Sequence, residues 1–217
     1  MSSIIVFGGA GRTGSEVVKQ AISNGHSVTA FTYSTPPPGI LPDSQRLRIV
    51  TGNAYVYDDV ARAVEGHDVV INIIAPKLFD KKNYPISEQA TRNIIRAMHE
   101  SGIRRYIGQA GAWATDQIGD ASLLMRLGFM FFLPLKNVYS YKKKEDQLVK
   151  QSRLDWTLVR CGILTDKHPT SHYKIYPERY VCGMFEIPKI RRVNVAKFEL
   201  SIIHDTAYYN KCPIVIE

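Results

Sequence analysis

Cysteine is scarce in this chain: Cys161, Cys182 and Cys212 among 217 residues. An odd count with no metal-ligand spacing argues against a disulfide framework and against a zinc module; reduced thiols that serve packing are expected, and no metal. Long apolar runs are missing too. The most apolar stretch, 119–138, is broken by Arg126, Gly128 and Pro134 and falls short of the roughly 18 continuous apolar residues of a membrane span. No internal repeat and no low-complexity linker divides the chain, so a single domain over 1–217 is expected. With the first strand expected from residue 4, no room is expected for a cleaved leader, and the expected location is cytoplasmic. Acids are the minority charge, giving a net charge of +8. The basic clusters Lys81-Lys82, Arg104-Arg105, Lys142-Lys143-Lys144 and Arg191-Arg192 are short and lack interleaved stacking aromatics. They read as solvated surface, and no helix-turn-helix or zinc spacing supports a nucleic-acid partner.

What is present is concentrated at the start. Ile4-Ile5-Val6-Phe7 reads as a buried strand, and Gly8-Gly9-Ala10-Gly11-Arg12-Thr13-Gly14 follows before a helical pattern begins. Gly8 suits the tight turn, Gly11 a close approach of backbone to a pyrophosphate, and Gly14 the packing of helix on strand. The loose amides and positive dipole end of the helix, around Thr13, suit an anion. The strand–glycine–helix context makes this a dinucleotide-binding turn rather than a bare glycine pattern.

Along the chain, strands alternate with helices, which predicts an α/β fold with a Rossmann-type doubly wound parallel sheet. Strands are expected at Val28–Thr32, Leu47–Val50, Asp68–Ile74, from Tyr106 to Gly111, Leu154–Arg160 and Ile214–Ile216. Helices are expected near 15–24, 58–65, from Pro85 to Gly102, 139–152 and around Val195–Ile202. The end of the second strand carries Thr32, Tyr33, Ser34 and Thr35 and no carboxylate. A site for NAD(H) usually places an acid about 20 residues beyond the glycines, to hold the ribose hydroxyls. Its absence, with Arg12 able to face an adenosine 2′-phosphate, predicts NADP(H) over NAD(H). The stretch 123–135 reads as a core helix, a wall of a substrate pocket or an oligomer contact. The segment 165–188, after a strand end and carrying Pro169, Pro177 and Gly183, reads as a cover over a bound substrate.

With these motifs the sequence resembles the atypical short-chain dehydrogenase/reductase group, NAD(P)-binding proteins that include the biliverdin-IXβ/flavin reductase and NmrA-like families. The resemblance rests on the glycine turn, on Leu154-Asp155-Trp156-Thr157-Leu158-Val159-Arg160, and on Val195-Ala196-Lys197-Phe198. It implies a Rossmann domain with a small C-terminal substrate cap. It implies adenine contacts at Asn53-Ala54 and nicotinamide contacts near Ala75-Pro76 and Cys161-Gly162-Ile163. Where relatives often carry an arginine, a serine pair and a proline, this chain has Tyr33, Gly108-Gln109 and Cys161.

Three functions compete. One is an NADPH-dependent reductase acting on a small carbonyl-bearing or planar molecule, flavin- or quinone-like; the protein then works as a monomer or homodimer. The second is an NADP(H)-binding redox sensor or regulator without turnover, consistent with the missing serine. The third is a non-redox isomerase or cyclase. For the reductase, Tyr139 and Lys143 are spaced like the Tyr-x-x-x-Lys pair of short-chain dehydrogenases, four apart on one helical face. That pair implies a phenol proton donor supported by an ammonium, with Gln109 donating an amide hydrogen to a substrate oxygen. The stretch is crowded with tyrosine and lysine, where such spacing arises easily by chance, and its plainer reading is a solvated helix face.

Overall fold

The computed structural model describes residues 1–76, 80–111, 123, 127, 133–166, 172–177 and 179–217, without the side chains at 133–136 and 139. Strand β1 (Ser3–Phe7) is buried along its length after Ser3 and enters the turn to α1 (Arg12–Ser23). β2 (Ser27–Thr32) and β3 (Leu47–Thr51) follow, then α2 (Tyr57–Val64), β4 (Val69–Asn72), α3 (Ile86–Glu100), β5 (Arg105–Gly111), α4 (Leu133–Gln151) and β6 (Asp155–Cys161). The chain ends with the short β7 (Ile163–Thr165), β8 (Lys174–Tyr176) and β9 (Lys189–Arg191), then α5 (Arg192–Ser201) and β10 (Ile214–Ile216).

The strands form one sheet in the order β3-β2-β1-β4-β5-β6-β10-β8, with β7 and β9 in a separate pair. Neighbours pair in parallel from β3 through to β10; only β8 runs antiparallel. The central strands need apolar residues on both pleat faces, because helices cover both. β1 meets this with Ile4 and Val6 packed under α1 and α5, and Ile5 and Phe7 packed under α2 and α3. The expected doubly wound α/β fold is the observed one. Strand order reverses between β1 and β4, and the crevice outside the carboxyl ends there is where such sheets bind ligands.

Several boundaries differ from expectation by a few residues, and two of them have a clear physical reason. α4 begins at Leu133, six residues early; Pro134 lies in its first turn, where a missing N–H breaks no helical bond. β4 stops at Asn72 rather than Ile74, because the Asn72 side chain takes over the ladder's work. Its Oδ1 accepts from the Ile74 N–H at 3.1 Å, and its Nδ2 donates to Thr91 Oγ1 and Tyr106 Oη, both at 3.0 Å.

At the opposite, amino edge, Arg105 is buried and caps the end of α5. Its guanidinium donates to the carbonyls of Ile202 and Ile203, to that of Asp155 and to Thr157 Oγ1. Burial lowers its pKa to about 10. The helix is thereby fixed against the sheet at one end, which sets where its other end falls.

Candidate functional site

The turn after β1 is built by glycines acting in different ways. Gly8 has φ +80°, a left-handed backbone that favours glycine. A Cβ on Gly14 would stand 2.1 Å from the Gly8 carbonyl oxygen, so only glycine lets the first turn of α1 sit on the loop. Gly9, which carried no role in the sequence reading, packs against β2: a Cβ there would lie 2.8 Å from Ala30 Cβ. No side chain caps the start of α1, and its first turn holds no acid. The amide groups of that turn therefore face outward as donors with a positive dipole end behind them, which is what an anionic phosphate needs.

Beside the turn lies a cleft of about 500 Å³. Gly8, Tyr33, Asn53, Ala54, Ala75 and Pro76, all named from the sequence, line it together with Tyr55, Asp80 and Asn83. The Asn53–Ala54 wall is held from two sides. The Asn53 N–H donates to Asp59 Oδ2 at 2.9 Å, and Asn93 Nδ2 donates to the Ala54 carbonyl at 2.9 Å. Asn93 on α3 and Asn72 on β4 were not singled out in the sequence, although a polar side chain inside an apolar periodic stretch is a signal that marks them. Tyr33 at the end of β2 is 79% exposed, whereas Thr32 is buried. No carboxylate stands at residues 32–35.

The lysine that reaches this edge is Lys142, not Lys143. Its Nζ donates to the carbonyl of Ile74 at 3.2 Å and of Gln109 at 3.3 Å, and pairs with Glu145 Oε2 at 2.7 Å. Two carbonyls take protons of the ammonium, and the Glu145 carboxylate balances its charge. Burial pushes the Glu145 carboxyl up and Lys142 draws it back. Lys143 lies one residue on, a rotation of about 100° around the helix, and is exposed. The Tyr139 side chain lies outside the described residues; its backbone is in α4, three residues before Lys142.

Gln109 differs from expectation. Its carbonyl is occupied by Lys142, and its side chain is buried and donates to Cys161 Sγ at 3.5 Å. That places the amide against β6 on the α1/α5 side. Burial pushes the Cys161 thiol well up, so the sulfur is a packing group. Gly162 is set by a close approach: a Cβ would lie 2.8 Å from the Pro188 carbonyl oxygen, which accepts the Ile163 N–H. Ile163 is half exposed. The Arg12 guanidinium pairs with Asp166, just beyond β7. Of the stretch 123–135, Leu123 and Leu127 are described and both are exposed; most of the rest lies outside the described residues, as do 167–171 and 178. Among the described residues no cluster of His, Cys, Asp or Glu is arranged to hold a metal, and no helix is long and apolar enough to cross a membrane.

A family model described as NAD(P)H-binding matches residues 8–206, nearly the whole chain. This chain belongs to the NAD(P)H-binding family. Membership agrees with the resemblance that the glycine turn carried. The photosystem II assembly factor Ycf39 of Synechocystis is 29% identical over 160 residues, 73% of this chain and 44% of that protein. A 3-beta-hydroxysteroid dehydrogenase of Mycolicibacterium neoaurum is 26% identical over 117 residues, 49% of this chain and 31% of that one. The chain thus spans less than half the length of these curated relatives. Among solved structures, a wide-type short-chain dehydrogenase/reductase of Veillonella parvula in complex with NADP superposes with a TM-score of 0.82 at 20% identity, covering 100% of this chain and 95% of that one. ChuY, an anaerobillin reductase of Escherichia coli O157:H7, gives 0.76 at 18% identity, covering 99% and 97%. At such identities the likeness establishes the fold.

Proposed function

We propose that the chain is an NADPH-dependent reductase that transfers hydride to a small carbonyl-bearing or planar molecule. The observations that carry this reading are the uncapped, acid-free start of α1 and, beside Gly8 of the same turn, a cleft whose β2 end has no carboxylate. A carboxylate there would repel a 2′-phosphate; Thr32, Tyr33 and Ser34 do not. The family and the NADP-bound structural neighbour support the same cofactor.

The cofactor supplies the hydride when bound. The amides of Arg12 and Thr13 bind its phosphates, the Gly11 N–H being taken by the Gly8 carbonyl at 2.9 Å, and Asn53, Ala54 and Tyr55 form the wall for adenine. Ala75, Pro76 and Ile163 flank the nicotinamide end. Lys142 acts as a positioning residue: by binding the carbonyls of Ile74 and Gln109 it holds the ends of β4 and β5 at a fixed separation. Asn72 fixes the other side of Ile74 through its N–H. The proton for the product is assigned to Tyr139, one turn before Lys142 on α4. The chain acts as one domain, and the segment 165–188 covers the substrate.

The test is NADPH consumption over a panel of quinones, flavins, linear tetrapyrroles and aldehydes, with binding of NADPH and NADH titrated in parallel. The expected result is turnover on at least one class and tighter binding of NADPH. Tight NADPH binding with no turnover on any class would favour the sensor reading; equal affinity for the two cofactors would remove the NADP(H) assignment. On a substrate so found, Tyr139→Phe is expected to lower turnover by about 10²–10⁴-fold with cofactor affinity unchanged. A fall under about threefold would return the proton to solvent.

A further inference from the structure

Arg12 opens α1 from within the glycine turn, and its side chain is 71% exposed. Its guanidinium is nevertheless not directed to solvent alone: it pairs with Asp166, the residue that follows β7. The same carboxylate accepts from Arg192 Nη1 at 2.5 Å. Arg192 begins α5, and its side chain is only 12% exposed. One acid is therefore shared by two arginines that differ in freedom. Arg192 is packed in place; Arg12 stands on the surface and can rotate. The shared acid holds the side chain of the first residue of α1, the helix whose starting amides are assigned to phosphate, so the protein sets its own anion on an arginine that an anionic ligand would otherwise meet.

Exposed ion pairs are weak, whereas a guanidinium gives charge-assisted, bidentate bonds to phosphate. A phosphate placed at the turn can therefore take Arg12 from Asp166, while Arg192 keeps the carboxylate. We propose that Asp166 sets cofactor affinity by holding Arg12 in reserve, as an internal anion that the cofactor's phosphate displaces. This rests on the NADP(H) reading above. Two phosphates are candidates for the displacement: the pyrophosphate common to both nicotinamide cofactors and the 2′-phosphate carried only by NADP(H).

The experiment compares wild type, Asp166→Asn, Arg12→Ala and the double variant in the full chain, by calorimetric titration with NADPH and with NADH. Asparagine keeps an oxygen for Arg192 while removing the charge that competes for Arg12. The expected result is a gain in NADPH affinity of about two- to fivefold in Asp166→Asn, the range that an exposed ion pair is worth. Asp166→Ala is expected to act in the same direction. On the Arg12→Ala background the gain should vanish, because the acid acts through that arginine. A gain for NADPH alone identifies the 2′-phosphate as the displacing group, and an equal gain for NADH identifies the pyrophosphate. Unchanged or weaker binding in Asp166→Asn overturns the proposal, as does a gain that persists without Arg12. If wild type binds neither cofactor, the NADP(H) reading fails and this proposal with it; if wild type binds and Asp166→Asn shows no gain, only the proposal fails.

Discussion

On the face of the sheet covered by α2, α3 and α4, the buried acids of α4 have cations: Glu145 pairs with Lys142, and Asp146 pairs with Arg160 of β6. On the face covered by α1 and α5, Glu199 of α5 is fully buried and neither carboxylate oxygen has a hydrogen-bond partner among the described residues. The contrast follows from what each face does. The first lies under the ends of β4 and β5 and must hold loop backbone, so it uses polar groups that bond carbonyls and amides: Lys142, and Asn72, which is itself held by donating to Thr91 and Tyr106. The second is the larger apolar cluster, where Val17, Val18 and Ala21 of α1 pack with Val195, Ala196 and Phe198 of α5. An acid in that setting avoids the cost of a buried charge by staying protonated. Burial pushes Glu199 up to about 8.

The largest expected effect comes from breaking a partnered charge. Arg160→Met leaves Asp146 buried without its cation, next to Glu145, and is expected to cost about 3–5 kcal/mol of stability in chemical denaturation. Arg160→Met combined with Asp146→Leu removes both charges and should recover most of that loss. A double variant no more stable than the single one would show that the ion pair is not what the face depends on.

The unpartnered acid gives the next effect, with pH as the probe. The folded pKa of Glu199, about 8, lies above its ordinary 4.5. The unfolded chain therefore loses this proton first, and the stability associated with neutral Glu199 is complete below 4.5 and drains away as pH rises toward 8. Between pH 6 and pH 8 wild type should lose about 2–3 kcal/mol more than Glu199→Gln, at about 1.4 kcal/mol per pH unit. Parallel pH profiles for the two proteins would mean that Glu199 finds a partner in solution.

The sheet and the glycine turn were legible in the sequence because their signals are local. Ile4 to Phe7 is a short β-branched run, the glycines follow it directly, and parallel strands buried on both faces must be apolar throughout. The cleft wall at Asn53–Ala54 and Ala75–Pro76 was reached through family resemblance, and the fold brings those residues together beside Gly8. What escaped was long-range or a matter of helical phase. Nothing near Arg12 in the chain announces Asp166; only the position of β7 beside the turn does. Glu199 sits in the stretch Phe198-Glu199-Leu200, and a lone acid there reads as a surface position until α5 is seen packed on α1. Gln109 was read as a donor to substrate, but strand alternation turns its side chain to Cys161.

The smallest expected effect returns to the polar face and to the three adjacent lysines 142–144. Spacing from Tyr139 selected Lys143, yet a helix turns about 100° per residue, so the face of α4 that meets the sheet is fixed by its own buried positions. Those are Lys142, Glu145, Asp146 and Val149, which places Lys142 inward and leaves Lys143 and Lys144 exposed. Lys142 bonds the carbonyls at the ends of two strands that flank the cleft. Replacing it alone would strand Glu145, so the informative variant is Lys142→Met with Glu145→Gln, which keeps the site neutral. Without the ammonium the Ile74 and Gln109 carbonyls lose a common donor, and the β4–α3 wall can drift from the cofactor position. NADPH affinity is then expected to fall about tenfold, equivalent to about 1.4 kcal/mol. Lys142→Arg should restore part of it, since a guanidinium also donates to carbonyls. Lys143→Ala should change affinity by less than about twofold, as expected for an exposed surface charge. If Lys143→Ala instead matches the double variant, the spacing from Tyr139 chose correctly and the phase of α4 in solution differs from the one described.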